Sequence, residues 1–409
     1  METLQGRVID VGRAGSGWTA LVLQADRPRR VSAPGELPMP RLGDLFRAEI
    51  EGERLMSLES LGSLESGEWT EDGDGLRWRH PNQSPTRMRL LWDRQTVLRA
   101  VREYLYGQGF LEVQTPLLVC GTTPDPAIDS VRVGDRYLVT STEYQVKRME
   151  VGGFDKLYTL TQNYRAGEVS ALHNPEFTML EWARAFGTLE AIERDAEAFT
   201  RAAFRALQPA GGQVIYRGRP VQLDGPEWER TTVREALARH LGLELDASFS
   251  LNSMRSEVRR RGVEVPPSFL EDRHLLFSFL MNAVGEKLGS PVPTFLRDWP
   301  AFQTSSAALR GDMPEVAERS ELFIAGLEVA DGFPSLRGEQ TQRALFHQAL
   351  ERRAREGKEA VALDERYLEA LRLGIPPGAG MALGFDRLVM ALTGQEEIRN
   401  VLPFTWDEL

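Results

Sequence analysis

Residues Tyr158–Trp182, YTLTQNYRAGEVSALHNPEFTMLEW, are the most informative stretch of the sequence. Both flanks have the composition of strands and a polar segment with Gly, Asn and Pro separates them, which predicts a β-hairpin. The hairpin places Arg165 at the end of its first strand, while His173 and Phe177 return on the other side. Because a guanidinium offers a fixed fork of donors and a permanent charge, Arg165 with His173 suits phosphate oxygens, and the Phe177 ring could stack on a base. The alternative is a surface hairpin with incidental charges.

A second segment, Gly378–Gly394 (GAGMALGFDRLVMALTG), predicts a glycine-rich strand followed by a helix. Asp386 is the candidate N-cap of that helix, and Arg387 falls in its first turn. A guanidinium beside the exposed N–H groups of a helix start favours an anion. The segment indicates a second phosphate contact, although glycine-rich turns before helices are also common without one.

Between these segments lies Glu321–Phe333 (ELFIAGLEVADGF), in which Glu321 and Glu328 are seven residues apart. An extended chain interrupted at Gly326 lets both carboxylates reach one place, and carboxylates near polyphosphate are the usual ligands of Mg²⁺. A solvated pair of acids is the alternative. The phosphate-binding arginines on both sides in sequence favour the magnesium site. The sequence contains no Walker-type loop, no GxSxG elbow and no Cys/His metal spacing.

The organisation of the chain predicts a small domain, a linker and a large domain. Residues 1–62 contain about five short strand-like runs, which favour a small β-barrel of the oligonucleotide-binding type, the alternative being a β-appendage that braces its neighbour. Residues 63–84 are predicted to be a linker. In residues 85–409 the patterns predict, among other elements, an alternating strand at Phe110–Pro116, a helical stretch around Leu189–Leu207 and a strand near Phe323–Val329. The order of strands and helices favours an α+β fold with an antiparallel sheet flanked by helices, rather than a doubly wound parallel sheet.

Composition limits the class of protein. The 409 residues include 49 Lys and Arg against 60 Asp and Glu, a formal net charge of -11, which argues against nonspecific binding of nucleic acid by a positively charged surface. The single cysteine, Cys120, cannot form an internal disulfide. No signal-peptide core and no run of about 18 apolar residues is present. We therefore expect a cytoplasmic protein with no membrane partner.

The sequence resembles the catalytic domain of class II aminoacyl-tRNA synthetases from about residue 85 to 409. Gly109–Leu118 (GFLEVQTPLL) is similar to motif 1 of that family, Asn163–Trp182 to motif 2 and Gly380–Met390 (GMALGFDRLVM) to motif 3. Thr140–Arg148 (TSTEYQVKR) resembles the family's amino-acid-binding strand. Three motifs in the expected order make the resemblance highly specific.

Within the family, the sequence is similar to lysyl-tRNA synthetase and most similar to its paralogue, the elongation factor P lysine ligase. The run LEWARAF, Ala382 and the short catalytic domain favour the paralogue. The N-terminal barrel is usually missing from the paralogue and looks like a trimmed form of the synthetase's anticodon-binding domain.

The resemblance implies a sheet that holds a bent ATP, activation of a carboxylate to an acyl-adenylate, and a homodimer formed through motif 1 around Pro116. It also implies roles for individual residues. Arg165 would bind the α-phosphate; His173 and Arg387 would hold the outer phosphates; Phe177 would stack on adenine; Glu321 and Glu328 would bind Mg²⁺; Glu143 and Glu181 would recognise the α-ammonium of the amino acid.

Several positions depart from the family pattern. Gly167 replaces a Glu of motif 2, which implies that adenine recognition shifts to Glu168 or to backbone. In the amino-acid pocket Ala183 replaces a Tyr, Ser335 a Glu, and Asp331 an Asn. The lost Tyr and Glu would hold a lysine ε-ammonium, and burying that charge unpaired costs several kcal/mol. Either Asp331 supplies a replacement carboxylate or the substrate is not lysine, and the substitutions favour an altered amino acid.

Three hypotheses follow. The first is an ATP-dependent ligase that adenylates an amino acid and transfers it to a protein lysine, with elongation factor P as the acceptor. The second is a tRNA ligase that uses residues 1–62 as a reduced anticodon reader. The third is a non-catalytic paralogue that binds nucleotide or a partner. Retention of Arg165, Arg387, Glu321 and Glu328 argues against the third.

Overall fold

The structure of the chain is a computed structural model, which describes residues 1–24, 27–40, 44–63 and 85–408. The chain divides into two compact units, residues 1–92 and 93–409. The predicted linker, residues 63–84, lies outside the described residues except for Ser63, which ends a strand. Within the part of the chain that is described, no helix combines the length and apolar character needed to cross a membrane.

The N-terminal strands close into a barrel in the order β1-β2-β3-β5-β4, as expected for an oligonucleotide-binding-type fold. Alternate residues of the fourth strand, Phe46, Ala48 and Ile50, point inward and pack with Trp18 and Val22. This period of two is what a closed barrel with a filled interior requires. The strands are β1 (Glu2–Ala14), β2 (Gly17–Gln24), β3 (Arg27–Ala33), β4 (Asp44–Glu51) and β5 (Arg54–Ser63).

A mostly antiparallel sheet forms the centre of the second unit, with the strand order β14-β15-β17-β18-β19-β11-β10-β6, and β16 pairs with β17. The ladders β14–β15 and β10–β6 are parallel, and the others on this path are antiparallel. The strands are β6 (Leu111–Glu112), β10 (Lys156–Tyr164), β11 (Glu176–Ala185), β14 (Glu229–Thr232), β15 (Thr294–Pro300), β16 (Leu309–Arg310), β17 (Met313–Ile324), β18 (Leu327–Pro334) and β19 (Gly378–Gly384).

Two smaller sheets complete the strand inventory of the described residues. One joins β12 and β13, and the other has the order β7-β9-β8. Their strands are β7 (Leu118–Val119), β8 (Arg132–Val133), β9 (Arg136–Leu138), β12 (Val214–Tyr216) and β13 (Arg219–Val221).

Helices flank the large sheet, which makes the fold α+β as expected. They are α1 (Pro85–Gly107), α2 (Glu143–Val151), α3 (Leu189–Leu207), α4 (Val233–Leu241), α5 (Leu251–Arg261), α6 (Arg273–Gly285), α7 (Glu339–Arg355), α8 (Glu365–Leu373) and α9 (Phe385–Thr393). Helices α3 and α9 contact the central strands, and their apolar residues join the main core of the unit. Helix α2 packs against β10 and β11.

The predicted hairpin is confirmed. Strands β10 and β11 pair antiparallel from Lys156 opposite Arg184 to Tyr164 opposite Glu176. Leu180 and Trp182 of β11 are buried in the main core. Because side chains alternate across a strand, Glu181 and Ala183 face the other side of the sheet.

Two strand predictions were wrong. Of Phe110–Pro116, predicted as a strand, only Leu111–Glu112 forms one, because this segment pairs with just two residues of β10 at the edge of the sheet. The run Phe323–Val329, also predicted as one strand, contains the turn between β17 and β18. Gly326 has φ +84°, and a Cβ there would lie 2.8 Å from the carbonyl oxygen of Glu286, so the chain turns where only glycine fits.

Asp386 is not the N-cap of α9, contrary to the prediction. Gly384 occupies that position without a side-chain cap. The Asp386 side chain, 1% exposed, instead accepts hydrogen bonds from Arg94 Nη1 at 2.5 Å and from the Thr178 backbone N–H at 2.8 Å. Arg94 Nη2 also donates to Thr178 Oγ1 at 2.8 Å. This buried ion pair ties α1 and β11 to the start of α9, one residue before Arg387.

Arg94→Ala removes the cation that neutralises Asp386. Deleting one partner of a buried pair costs roughly 3–5 kcal/mol, so we expect the free energy of unfolding of the second unit to fall by about that amount. Arg99→Ala is the matched control, because Arg99 lies on the same helix and its pair with Glu103 is solvent-exposed; the expected loss is about 0–1 kcal/mol. Urea unfolding followed by circular dichroism measures both. Equal losses would contradict the assignment of Arg94 as a structural cation.

Candidate active site

Four neighbouring strands bring one row of side chains together on the sheet face opposite the main core. Glu181 on β11 pairs with Ala382 on β19, Ala382 pairs with Asp331 on β18, and Asp331 pairs with Glu321 on β17. We call these four residues the carboxylate row. Residues from three separate segments of the sequence therefore lie side by side.

The next row on the same face is Ala183, Gly380 and Phe333. It lies two residues further along each strand, which is about 7 Å at the usual rise of a strand. Beyond it, the Ser335 backbone N–H donates to the carbonyl oxygen of Gly378 at 3.0 Å. Ala183 and Ser335 are both buried. The positions at which the family pattern has Tyr and Glu thus lie further along the strands than the carboxylate row, on the side away from Arg165, and carry no charged group.

A cavity of about 200 Å³ lies over these rows. It is lined by residues of both rows, by helix α2 and by Ser141, which precedes that helix. The segment Gln303–Ser306 and the side chains of Arg165, Arg319 and Ser335 also line it. The cavity therefore combines the predicted amino-acid-binding residues with the first predicted phosphate-binding arginine.

Glu181 is held in place by donors on the segment before α2. Its Oε1 accepts hydrogen bonds from Ser141 Oγ at 2.9 Å and from the Thr142 backbone N–H at 2.7 Å. Burial raises the pKa of the Glu181 carboxyl to about 7, although these hydrogen bonds act in the opposite direction. Among the described residues no cation forms an ion pair with Glu181, so its charge can be neutralised by a cation that enters the cavity.

Glu143, the other carboxylate predicted to recognise an α-ammonium, has an internal partner. Lys147 Nζ lies 2.5 Å from Glu143 Oε1, and the Lys147 side chain is only 6% exposed. The Lys147 ammonium also lies 5.4 Å from the ring centroid of Phe333. Glu143 therefore already neutralises a buried ammonium, and Lys147 is a cavity residue that the sequence analysis did not identify. The Glu-to-Lys spacing of four on a helix was the available signal.

Asp331 and Glu321 share a second cation that the sequence analysis missed. Arg319 Nε donates to Asp331 Oδ1 at 2.8 Å, and Arg319 Nη2 donates to Glu321 Oε1 at 2.7 Å. These carboxylates raise the pKa of the guanidinium above its ordinary value against the effect of burial. Asp331 is therefore already paired, which weakens the expectation that it replaces the lost carboxylate for a lysine side chain. Alternation along β17 places Arg319 on the face of Glu321, and this signal was present in the sequence.

The predicted phosphate-binding residues lie where the hairpin loop returns to the sheet. The Arg165 guanidinium lies 5.2 Å from the ring centroid of Phe177, and Arg165 Nη1 is 3.9 Å from Glu168 Oε1. Arg165 Nε is buried and has no hydrogen-bond partner among the described residues. The guanidinium is thus fixed by the aromatic ring while it keeps free donors for an anionic ligand.

His173 and Arg387 are in direct contact. Arg387 Nη2 lies 2.6 Å from His173 Nε2, and since a guanidinium only donates, His173 Nε2 must accept. His173 Nδ1 then carries the proton and donates to Ser170 Oγ at 2.8 Å. Burial of the imidazole lowers the pKa of His173 below its ordinary value, and the positive charges of Arg387 and Arg165 lower it further. The imidazole is therefore neutral near pH 7, and the positive charge at this end of the site belongs to the arginines.

The two carboxylates predicted to bind Mg²⁺ lie near each other and near Arg387. Arg387 Nη1 donates to the Glu328 carbonyl oxygen at 3.0 Å, and the Glu328 carboxylate is 4.0 Å from the same nitrogen. Burial raises the pKa of the Glu321 carboxyl well above its ordinary range, and the negative charge of Glu328 raises this pKa further. The positive charge of Arg319 acts in the opposite direction. In the described part of the chain, no three His, Cys, Asp or Glu side chains are close enough to hold a metal ion by themselves. Two carboxylates fit Mg²⁺, which keeps waters and binds substrate phosphates as its other ligands.

The chain matches a known family and several known relatives. A family model described as tRNA synthetases class II (D, K and N) matches residues 76–408. The lysine–tRNA ligase of Pelotomaculum thermopropionicum is 34% identical over 322 residues, which cover 76% of this chain and 62% of that protein. Those of Magnetococcus marinus and Carboxydothermus hydrogenoformans are each 33% identical over 320 residues, 76% of this chain and 62% and 64% of theirs. The chain thus spans less than two thirds of the length of these relatives. It belongs to the class II tRNA synthetase family of the D, K and N type.

Proposed function

We propose that the chain is an ATP-dependent ligase that converts an amino acid to its aminoacyl-adenylate and then transfers the aminoacyl group to a lysine of elongation factor P. One observation carries the first half of this proposal. The Arg165 guanidinium lines a cavity that also contains Glu181, a buried carboxylate with no cationic partner among the described residues, and a second guanidinium, Arg387, lies near Arg165, since both charges act on His173. Such a site suits a triphosphate at one end and an α-ammonium at the other.

The reaction needs no covalent intermediate with the protein. An oxygen of the substrate carboxylate attacks the α-phosphorus of ATP, a new O–P bond forms, and pyrophosphate leaves with the electrons of the bond that breaks. Glu181 holds the α-ammonium, and Arg165 meets the negative charge that gathers on the α-phosphate. Orientation and electrostatic stabilisation of this kind supply most of the acceleration in comparable reactions. A lysine amine of the acceptor then attacks the acyl carbon and releases AMP.

His173 is neutral, so it orients the Arg387 guanidinium at the outer phosphate site and adds no positive charge there. Its Nε2 accepts from Arg387, which aims the guanidinium, and its proton is held at Nδ1 by Ser170. Glu321 and Glu328 would hold Mg²⁺, which when bound would neutralise phosphate charge. Phe177 would offer its ring to adenine, and Glu168, beside Arg165, would contact the exocyclic amine.

Two features favour a protein acceptor. Ala382 lies in the carboxylate row between Glu181 and Asp331, as in the pattern that resembles the paralogue. The net charge of -11 also favours a protein over a large polyanion such as tRNA.

Aminoacylation of tRNA is the second candidate, and a specific observation favours it. The relatives reported above are named lysine–tRNA ligases, and the chain carries a closed barrel of the oligonucleotide-binding type at its N-terminus. In this case residues 1–62 would read the tRNA, residues 63–84 would link the domains, and residues 85–409 would carry out catalysis. In either case we propose a cytoplasmic homodimer formed around Pro116. A non-catalytic role is disfavoured, because the arginines and both acids are present together.

Arg165→Ala tests the adenylation step. We expect amino-acid-dependent ATP–pyrophosphate exchange to fall by at least a hundredfold, since loss of one preorganised donor to developing charge typically costs that much. The dimer, measured by analytical ultracentrifugation, should persist. Arg372→Ala is the control, because Arg372 is 67% exposed, and it should retain full exchange. Near-normal exchange in Arg165→Ala would mean that the assignment of the phosphate site is wrong.

The acceptor is identified by offering the enzyme labelled amino acid, ATP and either purified elongation factor P or total tRNA. We expect acid-stable label on elongation factor P and none on tRNA. Label on tRNA alone would replace the first proposal by the second. Exchange that is absent with every common amino acid and with β-lysine would contradict both.

Binding of the amino acid should depend on pH through Glu181. Only the ionised carboxylate attracts an ammonium, and with a pKa of about 7 it is protonated below and ionised above that pH. We therefore expect the KM for the amino acid to fall as the pH rises from 6 to 8. Ser141→Ala removes a hydrogen bond to the ionised form and should move the midpoint upward by about one unit. A KM that is constant over this range would contradict the assigned role of Glu181.

A further inference from the structure

Helix α2 contributes a third carboxylate to the cavity, Glu150, which none of the steps above uses. Glu143, Lys147 and Glu150 are spaced four and three residues apart and therefore share one face of the helix. Glu150 is 5% exposed, and its Oε2 is buried without a hydrogen-bond partner among the described residues. Lys147 affects it electrostatically, but it belongs to the ion pair with Glu143 and lies too far away to form one with Glu150.

The charges that line the cavity can be paired off. Lys147 neutralises Glu143, and Arg319 neutralises Asp331. Of the other carboxylates that line the cavity, Glu181 and Glu150 are buried and have no cationic partner in the described part of the chain, whereas Asp125 is only half-buried and accepts the Ala127 backbone N–H. A buried carboxylate without a partner is costly, and burial raises the pKa of Glu150 to about 7. A ligand that neutralises both groups must bring two separate cationic groups into the cavity.

Glu181 and Glu150 lie at different distances along the cavity. Helix α2 starts beside the carboxylate row, where the Thr142 N–H contacts Glu181, and Lys147 has already reached the second row at Phe333. Glu150 is almost one turn further along the helix, and eight residues of helix correspond to about 12 Å. The helix therefore carries Glu150 away from the carboxylate row and beyond the contact of Lys147 with Phe333, toward the part of the cavity in which Ala183 and Ser335 carry no charge.

We propose that Glu150 binds the distal ammonium of a diamino acid, while Glu181 binds its α-ammonium. This proposal rests on the adenylating function proposed above and adds the residue that selects the side chain. Glu150 reaches the distal end of the substrate from the helix, on the side of the cavity opposite the sheet strands that carry Ala183 and Ser335. A lysine-like substrate thereby gains a buried partner for its side-chain charge, and Asp331 can remain bound to Arg319.

Glu150→Gln tests this directly, because it keeps the shape and removes the charge. ATP–pyrophosphate exchange is measured with lysine, ornithine and norleucine, the last of which matches lysine in length but has no side-chain ammonium. We expect the unmodified chain to prefer lysine or ornithine over norleucine. In Glu150→Gln the KM for the preferred diamino acid should rise about a hundredfold, since a buried ammonium loses its charged partner. The KM for ATP should stay within twofold.

Glu369→Gln is the matched control, because Glu369 is 61% exposed on α8, and its kinetic constants should not change. Circular dichroism checks that Glu150→Gln is folded, and isothermal titration with lysine gives the binding change independently of turnover. An unchanged KM and an unchanged Kd for lysine in Glu150→Gln would overturn the proposal. So would a preference of the unmodified chain for norleucine or another neutral amino acid.

The outcomes also separate this proposal from the proposed function. Exchange with lysine at an unchanged KM in Glu150→Gln contradicts the role of Glu150 and leaves adenylation intact. Absence of exchange with every amino acid contradicts adenylation. In that case, lysine binding by the unmodified chain that is lost in Glu150→Gln would still support the diamino-acid site. If the unmodified chain does not bind lysine, the proposal for Glu150 is overturned.

Discussion

The register of four antiparallel strands is the constraint on which the rest of the site depends. Glu181, Ala382, Asp331 and Glu321 form one row only because β11, β19, β18 and β17 pair in this alignment. A slip of one residue would turn every second side chain of a strand toward the core, and Leu180 and Trp182 would lose their apolar surroundings. Burial of the core face therefore fixes the chemistry of the opposite face.

Buried charges then define what the site can hold. Internal pairs satisfy most of them: Arg94 with Asp386 behind the motif that carries Arg387, Arg319 with Asp331, and Lys147 with Glu143. These ion pairs stabilise the fold, because each charged group has its partner within the chain. The groups available to ligands are Arg165 and Arg387, whose carboxylate neighbours Glu168 and Glu328 lie 3.9 and 4.0 Å away, and the unpaired carboxylates of the cavity. Whether a charged side chain is paired within the chain therefore distinguishes structural from functional residues more clearly than the residue type does.

The sequence predicted the barrel, the hairpin and helix α3 at Leu189–Leu207 well, because each follows from a local period or from turn residues. It failed where the outcome depends on distant partners. The segment after Phe110 alternates like a strand but finds only two residues to pair with, and Asp386 looks like a cap but binds Arg94, 292 residues away. The structure brings together the residues that the motifs suggested for the site. Spacings that place Lys147 near Glu143 and Arg319 near Glu321 were present in the sequence, but no local pattern showed that these ion pairs form or that Glu150 has no partner among the described residues.

The transfer of an oxygen atom from the amino acid to AMP is a direct test of adenylation in this cavity. If the cavity holds an amino acid whose carboxylate attacks the α-phosphorus, one carboxylate oxygen must end in AMP. Lysine labelled with ¹⁸O in its carboxylate, ATP and the enzyme would be incubated with hydroxylamine, which captures the acyl group, and the AMP analysed by mass spectrometry. We expect one ¹⁸O atom in each AMP formed. Label in inorganic phosphate with release of ADP, or AMP without label, would contradict adenylation at this site.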